Sequence, residues 1–138
     1  MPRRRYLGRL SGPLLDRVDL RVAMRPVRGM DRAAAEPEST AVVRERVLRA
    51  RSAARARWVG TGWGTNAEVP GPVLRRRFRL PGAVTEPIEA ALYRGLVTAR
   101  GADRALRLAW TVADLAGRDR PLVEDVSVAM GLRDRRAA

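Results

Sequence analysis

The sequence contains no cysteine, no histidine and no lysine. Without cysteine there is no disulfide and no thiolate metal site, and cysteine usage says nothing of the redox compartment. Without histidine the chain lacks the usual general base near neutral pH and the commonest metal ligand. Without lysine a phosphate loop of the form GxxxxGK[ST] is impossible within these residues. Neither GxGxxG before a helix nor GxSxG occurs. Every apolar run falls short of the ~18 residues that a membrane span needs. The basic start "MPRRRYLGRL" is followed by no apolar segment of the signal-peptide kind. The expected location is therefore the cytoplasm, with no membrane partner. The carboxylates are scattered, and no spacing pairs two of them in one pocket, so no metal site is expected. On its own residues the chain matches no enzyme motif.

What the chain has in quantity is arginine. All 28 basic residues are Arg, against 15 acidic residues, and the net charge is +13. That balance points to a polyanionic partner, nucleic acid foremost. A complete replacement of lysine by arginine is also what a GC-rich coding bias produces, and arginines of that origin would simply form a solvated basic surface. Composition leaves both readings open. The 138 residues suffice for one domain with a modest core or for two small lobes.

Along the chain, "GPLLDRV" is compatible with one helical turn that has Pro13 at its first position. Val18, Leu20, Val22 and Met24 then alternate with Asp19, Arg21, Ala23 and Arg25, the period of a half-buried strand, stopped by Pro26. A lone strand needs a partner, and no other segment of the chain alternates in this way. Residues 27–38 read as a linker. A helix is expected over 39–57, capped by Ser39 or Thr40, with Val43, Val47, Ala50 and Ala54 as its apolar stripe and Glu45–Arg49 as an i, i+4 pair. The Gly- and Pro-rich run "WVGTGWGTNAEVPGP" interrupts it, with Trp58 and Trp63 as anchors of the loop and "NAE" as turn chemistry. A short basic helix or turn at 72–79 follows. Next come a helix over 85–97 capped by Thr85, with Ile88, Leu92 and Leu96 on one face, and a helix over 99–116. In the latter Ala102, Leu106, Ala109, Ala113 and Ala116 form the apolar stripe, widened by Leu108, Val112 and Leu115. Arg100, Asp103, Arg104, Arg107, Thr111 and Asp114 lie opposite, and Gly117 ends the helix. A last helix over 121–131 is expected to bury Leu122, Val126, Ala129 and Met130.

Two arginine placements stand out. Arg17 closes the short turn directly before the alternating segment. A guanidinium lent by a neighbouring subunit stabilises charge on a transferring phosphoryl group, although composition alone reads Arg17 as a surface or salt-bridge residue. Arg100 lies in the first turn of the strongest helix, where the helix end already favours anions and a guanidinium adds a fork for phosphate. The plain alternative is again a surface arginine. Arg75, Arg76, Arg77 and Arg79 cluster around Phe78, which reads as a DNA-backbone contact or as an exposed charge run.

The stretches "YLGRLSGPLLDRVDL" at 6–20 and "TARGADRALRLAWTVADLAGRDR" at 98–120, with Asn66 in "NAEVPGP" between them, resemble the C-terminal region of the magnesium-chelatase-like AAA+ ATPases of the ComM/YifB type. The resemblance covers nearly the whole chain. It implies that the first stretch ends the ATPase core, with Arg17 as an arginine finger acting in trans on the ATP of the next subunit. Leu14, Leu15 and Val18 would then hold the turn against the core, and Asp16 would orient the guanidinium. It implies that the second stretch opens the lid helix and that Arg100 is the sensor-2 arginine, binding nucleotide in cis. Thr98 stands where relatives often have Ser, and Trp110 where they often have Arg; neither departure bears on Arg100.

The resemblance also implies a fold class: mainly α, a helical AAA+ lid bundle over 36–138 with a short remnant of the αβ ATPase core over 1–35. The family's phosphate loop, Mg²⁺-binding acidic motif and sensor 1 precede this region, so the chain is expected to be the C-terminal fragment of a longer protein. ATP and Mg²⁺ are cofactors of the full-length protein, and none is expected in this fragment. The implied partners are other copies of itself in a ring, as a hexamer, and DNA, in a branch-migration or competence-related motor. Two rival readings are a non-enzymatic Arg-rich nucleic-acid-binding helical module and the lid of a true magnesium-chelatase ATPase subunit. By itself the 138-residue chain is expected neither to hydrolyse ATP nor to bind it tightly, because backbone N–H groups and the Lys of a phosphate loop supply most phosphate contacts. Phosphate release by the purified chain, persisting after controls for contaminating ATPases, would contradict this.

Overall fold

A computed structural model describes residues 17–22 and 37–133 of the protein. Five helices are present among them: α1 (Thr40–Arg57), α2 (Gly71–Arg76), α3 (Gly82–Tyr93), α4 (Ala99–Leu115) and α5 (Val123–Gly131), with a 3-10 turn at Asn66–Glu68 between α1 and α2. The fold is a helical bundle, and the described residues contain no strand. Residues 18–22, where alternation predicts a strand, have no regular secondary structure and meet the residues at the end of α5 without a ladder. The Arg21 N–H donates to the Leu132 carbonyl at 2.8 Å, while Val18, Leu20 and Val22 stay exposed. Alternation specifies a half-buried face but supplies no neighbouring strand, and nothing else in the described chain offers one. Ala23 and Met24, and the residues before Arg17, lie outside the described residues.

The helices begin and end for local reasons. Ser39 caps α1, accepting from the Val42 N–H at 3.4 Å. Only its second half is covered: Ala50 and Ala54 are buried, whereas Val43 and Val47 of the expected stripe are exposed. α3 starts at Gly82 behind Pro81 rather than at Thr85. The Thr85 hydroxyl is inside the helix, donating to the Gly82 carbonyl at 3.3 Å and bonding Glu89 at 2.7 Å. The helix also stops early. Gly95 takes φ +65°, and the Leu96 N–H turns back to the Ala91 carbonyl at 2.9 Å, so Leu96 leaves the helix and is exposed. Thr98 caps α4 through the Gly101 N–H at 3.0 Å. At the other end Gly117 adopts φ +71° and the Arg118 N–H reaches the Ala113 carbonyl at 2.9 Å. α5 begins at Val123. The N–H of Leu122, the residue before it, donates to Asp125 at 2.9 Å, and Asp125 is held in turn by Arg118, 3.2 Å from its Nε. Leu122 is consequently half exposed and Asp125 is buried, the reverse of what the apolar pattern suggests.

α4 is the central helix and touches α1, α2, α3, α5 and the 3-10 turn. Ala102, Ala105, Ala109 and Ala113 are buried along it. Small residues at i, i+3, i+7 and i+11 let neighbouring backbones approach closely, and Ala129 and Val126 of α5, both fully buried, meet that flank of the bundle. The scarce aromatics are concentrated where α1, α2 and α4 converge. Trp58 stacks edge-on against Phe78 at 4.7 Å, Trp63 at 6.1 Å and Trp110 at 6.2 Å between ring centroids. Such edge-to-face pairs add about 0.5–1.5 kcal/mol beyond the area they bury. Trp58 and Trp63 thus anchor the Gly-rich loop to the core.

The tightness of the alanine flank has a measurable consequence. Ala109→Leu forces several methyl groups into a filled interface and is expected to cost about 1–3 kcal/mol. The same change at exposed Ala53 of α1 is expected to stay within about 0.5 kcal/mol. Urea denaturation of the two variants against the parent chain reads the difference.

Candidate functional site

The first turns of α4 carry an unusual density of positive charge. Arg100, Arg104 and Arg107 recur at i, i+4 and i+7 on one side, and Arg75 of α2 comes alongside. Burial pushes the pKa of the Arg107 guanidinium down; Arg104 pushes it the same way, Asp19 opposes, and Arg100 and Arg75 add to the depression. The four arginines therefore lie within electrostatic reach of one another. Arg107 is steadied by donating from Nε to the Val69 carbonyl at 2.7 Å. Arg133, which follows α5, brings its Nη2 to the same helix end: a Cβ on Gly101 would lie 3.9 Å from it.

Two carboxylates answer this field. Asp103 pairs with Arg75 and presses over Gly71, where any Cβ would collide with the carboxylate; glycine is needed there for space. Asp19 reaches across from the 17–22 segment to Arg104 (3.1 Å) and Arg133 (3.7 Å). Arg100 is left exposed and makes no hydrogen bond or ion pair with a described residue. A free guanidinium in the first turn of a long helix, backed by further arginines, is suited to bind a phosphate or another multiply charged oxyanion.

What fixes α4 in place is a buried polar network on its far half. Arg57, at the end of α1, donates from Nη1 to Asp114 Oδ2 at 3.1 Å, and its Nη2 bonds Asp114 Oδ1. Asn66 donates to Asp114 Oδ2 at 2.8 Å and to the Thr111 hydroxyl at 3.1 Å, and accepts from Trp58 Nε1 at 2.9 Å and from Arg57 at 3.2 Å. The guanidinium of Arg57 also lies 4.4 Å from the centre of the Trp110 ring, a cation–π contact. Asp114, placed on the outer face by periodicity, is thus buried, because its partners arrive from another helix and a loop. Asn66 is a hub that ties the loop to both helices. In the same loop the Gly64 N–H donates to Glu68 at 2.7 Å and holds its carboxyl below the usual range.

Arg17 is helical and exposed, and no contact joins it to Arg100. The two are connected indirectly: Asp19, two residues after Arg17, binds Arg104, one helical turn after Arg100. Asp16, expected to orient Arg17, lies outside the described residues. Sequence periodicity points to Arg100 but not to Arg104, Arg133 or Asp19 as parts of the same site, since these meet only in three dimensions. The four arginines of the cluster at 75–79 are all exposed, as the charge-run reading expects, and only Phe78 among these residues turns partly inward. Arg75 is paired, Phe78 packs on Trp58 and Trp110, and Arg77 lies over the Phe78 ring at 5.6 Å. A mostly apolar cleft of about 300 Å³ opens between α2, α3 and α4, lined by Leu74, Phe78, Ile88, Leu106 and Trp110. Among the described residues no group of His, Cys, Asp or Glu is placed to hold a metal ion, and no helix is long and apolar enough to cross a membrane.

Comparison with known proteins places these features in context. Residues 37–133 match the family model described as magnesium chelatase, subunit ChlI C-terminal, and residues 1–32 match that of magnesium chelatase, subunit ChlI. An uncharacterized protein of Mycobacterium tuberculosis is 56% identical over 131 residues, covering 95% of this chain and 26% of the relative. The competence protein ComM of Haemophilus influenzae is 32% identical, covering 94% of this chain and 25% of its own length. The uncharacterized protein YifB of Escherichia coli is 34% identical over 80% of this chain and 22% of its own length. The chain thus spans about a quarter of the length of the curated relatives it matches. No solved structure matches it significantly.

The buried network makes its own prediction. Asp114→Ala leaves Arg57 without its carboxylate in a site where the two side chains are 11% and 1% exposed. The expected cost is about 3–5 kcal/mol, the scale for stranding one partner of a buried pair. Glu45→Ala, which removes a fully solvated i, i+4 pair at 3.9 Å, is expected to change stability by less than about 0.5 kcal/mol. Chemical denaturation of both variants checks the contrast.

Proposed function

This chain belongs to the magnesium chelatase family, and from that premise we propose that it is the C-terminal part of a ring-forming AAA+ ATPase. Residues 1–35 are the end of the ATP-hydrolysing core and residues 36–138 its helical lid. Arg100 contacts the nucleotide phosphates of its own subunit, and Arg17 projects as an arginine finger toward the ATP of the next subunit. The observation that carries the reading is Arg100 itself, an exposed guanidinium in the first turn of α4 that pairs with none of the described residues, within electrostatic reach of Arg104, Arg107 and Arg75.

The division of labour follows from the chemistry of the residues present. Phosphoryl transfer is catalysed mainly by positioning and by neutralising charge on the phosphoryl oxygens, and guanidinium forks do both. ATP would supply the transferable phosphoryl group and Mg²⁺ its charge neutralisation. The described residues offer arginines for the phosphates and no carboxylate set for the metal, so we assign the phosphate loop and the Mg²⁺ ligands to the part of the longer relatives that this chain does not cover. Arg100 reads the phosphate from the lid; Arg17 completes the neighbouring site only when two subunits are in register.

We further propose DNA as the substrate on which the ring works. One relative is known as a competence protein, which supports this, and so does an exposed row of arginines on α1. Arg44, Arg51 and Arg55 share one side of that helix, uncovered by the bundle. A non-enzymatic nucleic-acid binder would need only that row and would leave Arg17 and Arg100 without a task. The lid of a magnesium chelatase subunit proper is the rival within the family, favoured by the description of the matching model.

In the full-length protein, Arg17→Ala is expected to lower ATP turnover by about 10³-fold or more, the scale for a lost arginine finger, with nucleotide affinity nearly unchanged. Mixing it with a phosphate-loop variant should restore part of the activity, because the finger is given across the interface. Arg100→Ala should impair its own subunit's site and gain nothing from mixing with a subunit that has Arg100 but lacks a working phosphate loop. Steady-state phosphate release from pure and mixed rings distinguishes these outcomes. Normal turnover by Arg17→Ala would refute the finger assignment.

A further inference from the structure

The segment that follows Arg17 is held to the lid in an unusual way. Val18, Leu20 and Val22 are 40%, 49% and 65% exposed, so burial does little to attach it. Its attachments to the lid include the following polar ones. Asp19 Oδ1 lies 3.1 Å from Arg104 Nε and 3.7 Å from Arg133 Nη1; the Asp19 carbonyl accepts from Arg133 Nη1 at 3.3 Å; and the Arg21 N–H donates to the Leu132 carbonyl at 2.8 Å. The two arginines are largely buried, at 16% and 9% side-chain exposure, whereas Asp19 is 67% exposed. Asp19 is thus the movable partner on a fixed cationic seat.

We propose that Asp19 is a positioning residue that couples the placement of Arg17 to the occupancy of the anion site at Arg100. This rests on the reading of Arg17 as finger and Arg100 as phosphate contact. Arg104 is one turn, ~6 Å along the axis, from Arg100, and Arg17 is two residues, at most ~7 Å of chain, from Asp19. The arginines at the start of α4 repel one another, and Asp19 relieves part of that repulsion. A phosphate arriving at Arg100 supplies the same relief and competes with the Asp19 carboxylate for the field of Arg104. Anion binding therefore loosens Asp19 and frees the segment that carries Arg17. By linkage the reverse also holds: pulling Arg17 into a neighbouring site, and Asp19 with it, strengthens the call of the Arg100 end for phosphate. The device passes information from a subunit's own nucleotide site to the site it serves in trans, through one carboxylate.

Two measurements test this separately from the reading beneath it. In the 138-residue chain, amide exchange at Arg21 is followed by NMR with and without inorganic triphosphate. Triphosphate, or Asp19→Asn, should speed exchange about fivefold, the factor for losing an exposed ion pair worth ~1 kcal/mol; Asp19→Glu should keep most of the protection. Exchange indifferent to both triphosphate and Asp19→Asn overturns the coupling. In the full-length protein, Asp19→Asn should lower kcat by about 10- to 100-fold, the cost of misplacing a catalytic group by roughly 1 Å, with KM for ATP lowered rather than raised because no carboxylate competes with the phosphate, and Asp19→Glu restoring most of the rate. In mixed rings, an Asp19→Asn subunit served by a phosphate-loop-dead neighbour with Asp19 intact should regain turnover at its own site, which a general folding defect would not allow. If Arg17→Ala keeps its turnover, the finger reading fails while the exchange result still stands or falls by itself. If Arg17→Ala is inactive but Asp19→Asn turns over normally, the coupling alone is wrong.

Discussion

The bundle depends on one buried carboxylate. Asp114 is 4% exposed in the second half of the central helix, and a lone charge there would be untenable. It is tolerated because two elements converge on it: the end of α1 through Arg57, and the 3-10 turn through Asn66, which also donates to Thr111 of α4. The Gly-rich loop between α1 and α2 has little secondary structure to define its path. Asn66 defines it by taking Trp58 Nε1, Arg57 and Asp114 as partners at once, and the path then delivers Val69 and Gly71 to α4. Satisfied in this way, the network fixes the relative placement of α1 and α4, and thereby the direction in which the arginine-bearing end of α4 points.

The same economy runs through the other charged contacts. Asp125 is buried in the first turn of α5 and held by Arg118 through two nitrogens, and Asp103 is set between Gly71 and Arg75. In a chain without lysine every such carboxylate meets a planar, multidentate guanidinium. That geometry suits buried pairs better than a compact ammonium. The arginine excess therefore has two parts: some residues are spent as counterions of interior acids, and others, such as Arg100 on α4 and Arg44, Arg51 and Arg55 on α1, are exposed.

How much of this was legible in the sequence varies with the range of the interaction. The five helical segments follow from periodicity and punctuation, since 3.6-residue spacing, Ser39, Thr98 and Gly117 act locally. The start of α3 did not follow: Thr85 has cap chemistry, but Pro81 and Gly82 let the helix begin a turn earlier, and the threonine bonds inward. The alternation that starts at Val18 carries no information about a partner strand, and the described residues supply none. At the site, Arg100 could be singled out from its place in a first turn. Asp19, Arg104 and Arg133 could not, because they are separated by most of the chain and meet only when α5 folds back beside α4. Asp114 was misplaced for the same reason: a helical wheel sees its own helix and not the Arg57 that comes to meet it.

The free half of α1 has a consequence for reach. From Thr40 to Arg49 the helix has no buried residue; it is held by the Ser39 cap, the Arg46–Glu38 pair and its own hydrogen bonds. Ten residues of helix span ~15 Å, and the same residues drawn out extended span ~33–36 Å. So short a helical stretch without tertiary support is marginal in water, so tension on residue 40 would be met first by unwinding here rather than by disturbing the core around Trp58. α1 is in this sense a tether with about 20 Å of slack wound into it. A pull on residue 40 would be absorbed there and leave the bundle around Trp58 intact.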